Sequence, residues 1–243
     1  MFLDEDSDML YVAGWPKGTN AGALWKYDLV NGSGTAFYPG WLPAGGGDPF
    51  PNGIGNGVDK LDDMVFVSLG DFGGSFPESG LYVYDEAQQT GKFLTAENTV
   101  SGGNYEVIGD PMPGNYCLNS KTVDRKGKRY LYVSILNHGI WEYNITDNTG
   151  RILSPESTAS SGMHPVLGDP LHTTESYNIS IHGGLQLCNS WEAGIWLYDL
   201  NSNKGKVLTV ESTSPGGKNE VIGDPLPTNY GAGLDYDAVT GTL

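Results

Sequence analysis

One pattern repeats four times along the chain. It consists of an apolar residue, an aromatic residue, any residue, Tyr, and then Asp or Asn, and it stands at residues 24–28, 81–85, 140–144 and 195–199. The four tyrosines of the pattern are 57, 59 and 55 residues apart. A fixed period of this length is typical of a chain built from stacked copies of one supersecondary unit.

Other segments recur in the same order around this pattern. An apolar segment precedes it at residues 10–13, 65–68, 131–134 and 185–188, and a Gly-initiated segment follows it at residues 91–94, 150–153 and 205–208. A Gly-Asp-Pro element then recurs, with Asp48, Asp110, Asp169 and Asp224 as its acids. Each unit therefore predicts strand A, an acidic turn, strand B, a loop, strand C, a short turn, strand D and a long link rich in Gly and Pro.

Four antiparallel strands repeated at this period predict an all-β fold, a β-propeller with one blade per unit and no helix of any length. The whole units are residues 1–49, 50–114, 115–174 and 175–230, and residues 231–243 begin a partial fifth unit in a single propeller domain. A two-sheet sandwich is the structural alternative, but it does not require one unit repeated in register.

The partial fifth unit restates the opening strand A. A single strand with Leu234 and Tyr236 would be an uncovered sheet edge, which proteins normally cover. We therefore expect these residues to pair with a continuation of the same polypeptide or with another copy of the chain. The remaining alternative is that residues 234–243 displace the first strand and close a four-bladed ring.

The charge of the chain limits its partners. Asp and Glu outnumber Lys and Arg by 29 to 13, which gives a formal net charge of −16. A surface this acidic repels phosphate backbones and anionic membranes, so we expect no nucleic-acid partner. The sequence has no apolar run long enough for membrane insertion.

One stretch of about forty residues resembles a known family. Residues 50–54, 58–59, 64–67, 81–85 and 90–92 together resemble the calcium-dependent propellers of the gluconolactonase and senescence-marker-protein type. In that family the Asn of a Pro-Asn-Gly segment faces the axis and helps to hold a divalent metal. The resemblance implies Ca²⁺ at the axis, with Asn52 in that place and Asn119 near the place of an Asp.

The rest of the metal site of that family has no counterpart in this sequence. The family has a Glu in an early strand A within a Glu-Gly-Pro context, and no such context exists here. Ca²⁺ takes six to eight oxygen ligands, usually including carboxylates, so two amides alone would bind it poorly. The alternative is that the Asn-Gly pair at Asn52 opens a tight turn into strand A and that no cofactor binds.

Three sequons and two cysteines bear on the compartment. Asn31 and Asn144 stand where strand C turns into strand D, on the outer part of a blade, and Asn178 stands at the start of a strand A. We expect glycans on Asn144 and Asn31, with Asn178 the weaker candidate, if the chain is secreted. Cys117 and Cys188 can form one bridge or remain buried thiols, and the sequence leaves both alternatives open.

Three functions are compatible with these patterns. We expect a secreted, non-catalytic structural or assembly module, such as a fibre or sheath subunit. The alternatives are a metal-dependent lactone or ester hydrolase of the gluconolactonase type and a carbohydrate-binding propeller. Trp25, Trp141 and Trp196 could stack on sugars, but they stand in the middle of strand C, where packing between blades is the more common use. No candidate catalytic residue is assigned.

Overall fold

The computed structural model describes residues 1–14, 22–70, 78–190 and 192–229. These residues form an all-β fold of four sheets that follow one another along the chain. Within each sheet the four main strands pair with their neighbours in chain order and antiparallel. The first sheet contains β1 (Phe2–Asp4), β2 (Met9–Gly14), β3 (Ala23–Asp28) and β4 (Ser33–Phe37). The second sheet contains β5 (Ile54–Leu61), β6 (Met64–Gly70), β7 (Gly80–Asp85) and β8 (Thr90–Leu94).

The third and fourth sheets each gain a short fifth strand from the link that precedes them. The link before the third sheet contains α1 (Ala96–Thr99) and β9 (Ile108–Gly109), and the sheet contains β10 (Cys117–Arg125), β11 (Lys128–Ile135), β12 (Gly139–Asn144) and β13 (Thr149–Leu153). The link before the fourth sheet contains α2 (Pro155–Thr158) and β14 (Leu167–Gly168). The fourth sheet contains β15 (Ser176–His182), β16 (Leu185–Ser190), β17 (Gly194–Asp199) and β18 (Lys204–Leu208), and α3 (Val210–Thr213) follows it. The strands β9 and β14 pair in parallel with β13 and β18.

The three helices correct the expectation that no helix fits anywhere in the chain. Each is a single turn that begins at the same place after strand D. Thr95, Ser154 and Thr209 are their N-caps, and each forms a capping box with the residue three positions later. The side-chain oxygen of the cap accepts a backbone N–H that would otherwise lack a partner, which stabilises so short a turn. No helix in the described ranges is long and apolar enough to cross a membrane.

The sheets pack face to face in chain order. One buried cluster joins the first and second sheets through residues such as Tyr11, Leu24 and Tyr82. A second cluster joins the second and third sheets, and a third cluster, with Ile179 and Trp196, joins the third and fourth. Burial of this apolar surface stabilises each contact by roughly 25 cal/mol per Å². None of these clusters joins the fourth sheet to the first within the described residues.

Candidate functional site

The first strand of each sheet lines a shared cavity of about 600 Å³, which we call the inner cavity. Its lining comes from β1, β5, β10 and β15, so all four sheets contribute to it. The lining is largely polar and includes Glu5, Asn56, Asn119, Lys121, Asn178, Ser180 and His182.

A β-bulge recurs at the same point in three of these strands. The register shifts between Gly55 and Gly57, between Cys117 and Asn119, and between Ser176 and Asn178. A bulge re-aims the side chain that follows it. The two asparagines that follow bulges meet, because Asn119 Nδ2 donates to Asn178 Oδ1. Their amides therefore bind each other in the inner cavity.

Glycine at position 57 permits the close approach of the neighbouring strand. A Cβ atom added there would lie 3.2 Å from the Cα of Asn119. The amide of Asn56 also spans the two strands, since its Nδ2 donates to the carbonyl of Cys117 over 2.9 Å. The amides of Asn56 and Asn119 thus hold adjacent sheets together.

The structure does not bring the two expected metal ligands together. Asn119 lines the inner cavity, whereas Asn52 lies before β5 and is not among the lining residues. The backbone N–H of Asn52 donates to Glu78 Oε2 over 2.5 Å, and its Oδ1 is buried without a hydrogen-bond partner in the described part of the chain. No group of three His, Cys, Asp or Glu residues able to hold a metal ion occurs in the described ranges. The residues around Asn119 do not fit a calcium site, since the lining near it includes Lys121.

A buried carboxylate on β5, outside the lining of the inner cavity, has a structural role. Asp59 on β5 accepts two hydrogen bonds from Thr122 on β10, from the backbone N–H over 2.6 Å and from the hydroxyl over 2.8 Å. Burial raises the pKa of Asp59, and Lys121, 3.4 Å away, opposes that effect. Asp59 therefore ties the second sheet to the third.

One close contact in the inner cavity was not predicted from the sequence. The hydroxyl of Ser180 lies 2.8 Å from Nε2 of His182, two residues further along the same face of β15. Residues two apart on a strand share a face, so the spacing could have predicted this contact. Ser180 is only 4% exposed, so its hydroxyl is poorly placed to attack a substrate.

Three of the four recurring Gly-Asp-Pro acids join one sheet to the next through the same contacts, which we call the Asp latch. The backbone N–H of the Asp donates to a Gly carbonyl on the last main strand of the following sheet. One carboxylate oxygen accepts the backbone N–H two residues beyond that Gly, and the Asp carbonyl accepts a hydrogen bond from an aromatic side chain on strand C. The sets are Asp48 with Gly91, Phe93 and Tyr82; Asp110 with Gly150, Ile152 and Trp141; and Asp169 with Gly205, Val207 and Trp196. The aromatic contacts are all 3.1 Å long.

The strand D glycine that accepts the N–H of the latch Asp cannot be replaced by a larger residue, because there is no room for a side chain. A Cβ added at Gly150 would lie 2.0 Å from the carbonyl oxygen of Asp110, and one at Gly205 would lie 2.0 Å from that of Asp169. Any larger residue would push the latch off the strand. The Gly of strand D in the last three sequence units is therefore part of the junction.

Each latch carboxylate also binds a side chain from the link that follows the sheet on which the latch docks. Asp48 accepts the hydroxyl of Tyr105 over 2.7 Å, Asp110 lies 2.7 Å from Nε2 of His164, and Asp169 accepts Lys218. Burial acts to raise the pKa of Asp169, but the hydrogen bonds from Lys218 and Val207 outweigh it and lower this pKa below 3.8. Asp169 is thus held as the carboxylate.

The fourth Gly-Asp-Pro element makes none of these contacts in the described part of the chain. Ile222, just before Gly223 and Asp224, is fully exposed, and Val221 is 37% exposed whereas its counterparts Val107 and Val166 are 5% and 7% exposed. We call residues 222–224 the free latch.

The first sheet has the matching receiving surface, and no latch contacts it among the described residues. Trp25 is 39% exposed, whereas Trp141 and Trp196 at the same position are fully buried. The indole nitrogen of Trp25 lies 2.7 Å from a Cβ built on Gly34, and that of Trp141 lies 2.8 Å from a Cβ on Gly150. The expectation of core packing is therefore confirmed for Trp141 and Trp196 but not for Trp25. We call Trp25, Gly34 and Ala36 the free receiver.

The sequons differ in exposure. Asn31 is exposed in the turn between β3 and β4, where its Nδ2 donates to Asp28 Oδ2. Asn144 is 7% exposed and its Nδ2 donates to Asp147 Oδ2 over 2.8 Å, and Asn178 faces the inner cavity. Glycosylation stays a prediction, and of the three sites Asn31 has the most accessible side chain.

The remaining expectations concern the cysteines and the last residues. Cys117 and Cys188 are free thiols, each fully buried in a different core, which decides between the two alternatives. Burial raises the pKa of Cys188 to about 12. Leu234 and Tyr236 lie outside the described residues.

Comparison with known proteins gives similarity of fold alone. No protein-family model matches the chain, and no curated protein matches it. Among solved structures, the extracellular domain of the hybrid two-component system BT3049 from B. thetaiotaomicron is similar, with a TM-score of 0.57 and 14% identity over 86% of this chain and 24% of that one. The extracellular domain of BT4673 from the same organism has a TM-score of 0.54 and 10% identity over 84% of this chain and 23% of that one. The chain therefore spans about a quarter of the length of these structural neighbours.

Proposed function

We propose that the four sheets are consecutive blades of a β-propeller and that the protein is a secreted, non-catalytic structural module. The first strand of each sheet is nearest the axis in this arrangement. Two observations support it: all four first strands line the inner cavity, and each sheet shares a buried core with the next. Secretion is supported by the extracellular location that the titles of the two neighbours state.

The Asp latch is the observation that carries the structural role. Three copies of one contact set join four sheets, and they use the acidic residues that recur most regularly in the sequence. Hydrogen bonds to an ionised acceptor contribute about 1.5–3 kcal/mol each, so every latch is a strong tie between units. A chain whose repeated polar residues hold its own units together is suited to scaffolding.

The inner cavity supports the same conclusion. Asn119 and Asn178 bind each other, and Asp59 is bound by Thr122 and Lys121. These groups therefore have structural partners. We propose that calcium does not bind through Asn52 and Asn119.

A lactonase assay tests the proposal against the hydrolase alternative. The secreted protein is incubated with a simple aldonolactone and with Ca²⁺, Zn²⁺ or Mn²⁺, and we expect no turnover above the buffer rate. The intact mass of the same material reports a glycan, which we expect on Asn31. The Asn52→Ala and Ser180→Ala variants are the matched controls. Turnover that disappears in either variant would make the protein a hydrolase and overturn the proposal.

A further inference from the structure

We propose that the free latch of one chain docks on the free receiver of a second copy. This inference rests on the proposed structural function and names its partner. The free latch, residues 222–224, lies beyond the fourth sheet, and the free receiver lies on the hairpin of β3 and β4 in the first sheet.

The free latch has the same sequence as its engaged counterparts, and it likewise follows a capped turn that comes after the last strand of a sheet. Residues 222–224 read Ile-Gly-Asp, as do residues 108–110, and Leu-Gly-Asp stands at 167–169. The capped turn α3 and the Asn229 contacts fix the link on the fourth sheet: Asn229 accepts the N–H of Gly194 over 2.9 Å and that of Val210 over 2.8 Å. The link is therefore folded before any partner binds.

The face of the fourth sheet that lies beside the free latch corresponds to a face of the second sheet that the third sheet covers. In the second sheet, Met64, Val83 and Leu94 face the third sheet in the contact region around Tyr143. Leu185 and Leu197 have the equivalent positions in the fourth sheet, and they line a surface groove of about 410 Å³. Covering apolar side chains of this kind favours docking of another sheet.

The free receiver has the register of an engaged one. Tyr27 pairs with Gly34 just as Tyr143 pairs with Gly150, and Trp25 stacks on Tyr27 as Trp141 stacks on Tyr143, with ring centroids 4.9 Å and 5.0 Å apart. No acceptor for the indole N–H of Trp25 is found among the described residues. By analogy with the engaged latches, that N–H would donate to the carbonyl of Asp224.

The remaining contacts follow from the same register. The N–H of Asp224 would donate to the carbonyl of Gly34, and the N–H of Ala36 would donate to the carboxylate of Asp224. Ile222 would lie beside Ser33, as Ile108 lies beside Thr149 and Leu167 beside Lys204. The contact continues an interface that the molecule already uses three times.

A second copy, rather than the chain's own first sheet, is the occupant that these positions favour. The link is fixed to the fourth sheet, and in that position Ile222 is fully exposed, whereas Ile108 and Leu167, which pair with their strands, are 63% and 58% exposed. The described part of each chain offers one free latch and one free receiver, so two copies are complementary. A contact between two different surfaces repeats head to tail and gives an open filament or a larger closed ring.

Cross-linking of two single-cysteine variants of the full chain tests the inference. Ser33→Cys and Ile222→Cys change exposed side chains, so both variants should fold, and the native thiols are buried. The two variants are mixed and treated with a short bis-maleimide, and the products are separated on a denaturing gel. We expect a covalent dimer from the mixture and from neither variant alone.

A further substitution tests the chemistry of the contact. Asp224→Ala in the Ile222→Cys chain should lower the dimer yield at least about tenfold, since it removes charge-assisted hydrogen bonds. Asp6→Ala, which removes an exposed carboxylate from the turn between β1 and β2, should leave the yield unchanged. Equal yields from these two chains would overturn the role of the latch.

The double variant distinguishes the other occupants. A cross-link within one chain of the Ser33→Cys/Ile222→Cys protein, with no dimer from the mixture, would assign the latch to its own first sheet and overturn the inference. No cross-link in either experiment would also overturn it. Both results would leave the non-catalytic function intact, because only lactone turnover contradicts that function.

Discussion

The strand D position that accepts the N–H of each latch Asp must be glycine. The reason is a neighbouring carbonyl that leaves no room for a side chain, and not the torsion angles of the glycine itself. Gly91, Gly150 and Gly205 are not among the residues with positive φ, so an L-residue could adopt their backbone conformation. What excludes a side chain is the latch carbonyl, which would lie 2.0 Å from a Cβ at Gly150. The steric demand comes from a residue 40 positions earlier, Asp110.

Gly150→Ala should therefore destabilise the protein although Ala is better tolerated than Gly in most strands. The Cβ forces Asp110 away from β13, and overpacking of this kind costs about 1–3 kcal/mol. Urea unfolding measures the effect. Gly14→Ala is the control, because a Cβ on Gly14, also in a strand, meets nothing within 4 Å. Equal midpoints for the two variants would contradict the role of the junction.

One latch acid, Asp169, also predicts how stability depends on pH. The pKa of Asp169 is lowered below 3.8, because the hydrogen bonds from Lys218 and Val207 outweigh its burial. A group whose pKa is lowered on folding stabilises the folded state above its unfolded pKa and loses that contribution as the pH falls through its folded pKa.

Asp169→Asn should therefore cost about 1 kcal/mol near neutral pH, the order expected when a charge-assisted hydrogen bond becomes a neutral one. The difference from the unsubstituted protein should shrink below pH 3.8. Unfolding free energies measured across pH for both proteins provide the check. A difference that does not change with pH would show that the charge of Asp169 has no part in the junction.

At the scale of elements, the period of the sequence predicts the main strands because each unit alternates apolar residues between turns. The observed strands β2, β3 and β4 and their counterparts in the other sheets fall on the predicted B, C and D segments. The strands β9 and β14 were not predicted, since two residues are too few for a periodicity. They form only because the latch holds them beside the next sheet.

The single-turn helices have a signal in the sequence, which is a pair of capping residues at the start of each turn. Thr95 and Asn98, Ser154 and Ser157, and Thr209 and Ser212 are cap pairs three residues apart. A capping pair normally predicts the start of a longer helix, but in this chain no apolar stripe with helical spacing follows it. The end of the turn is bound to the link that follows it, as when the hydroxyl of Thr99, at the end of α1, accepts the N–H of Met112 over 3.0 Å, and this contact stabilises the turn.

The candidate site was predictable only in part, because its contacts join distant residues. Asn119 lines the inner cavity, but its hydrogen bond to Asn178 depends on two bulges that no local sequence pattern predicts. The repeated Gly-Asp-Pro element identified Asp48, Asp110 and Asp169 in the sequence. Their receivers are residues about 40 positions later, so the repeat marked them without showing what they bind.

At the scale of the whole molecule, four sheets share three buried cores among the described residues. Within this part of the chain, the second and third sheets therefore share a buried core on both faces, and the first and fourth sheets on one. Trp25 and Trp141 have the same place in their sheets, yet only Trp141 is fully buried. Coverage by a neighbouring sheet, rather than the sequence of the hairpin, decides the difference.

Hydrogen exchange should reveal this difference, since local opening is easier where few apolar contacts cover the backbone. The hairpin of β3 and β4 and the hairpin of β12 and β13 have the same lengths and each pairs five residues, so each is a control for the other. In dilute solution, amides of β3 and β4 should exchange at least about tenfold faster than those of β12 and β13, a factor equivalent to 1.4 kcal/mol of opening free energy. Mass spectrometry of peptides from the two hairpins measures both rates in one sample. Equal protection would mean that the first sheet is covered as fully as the third, and Trp25 would then have a partner within its own chain.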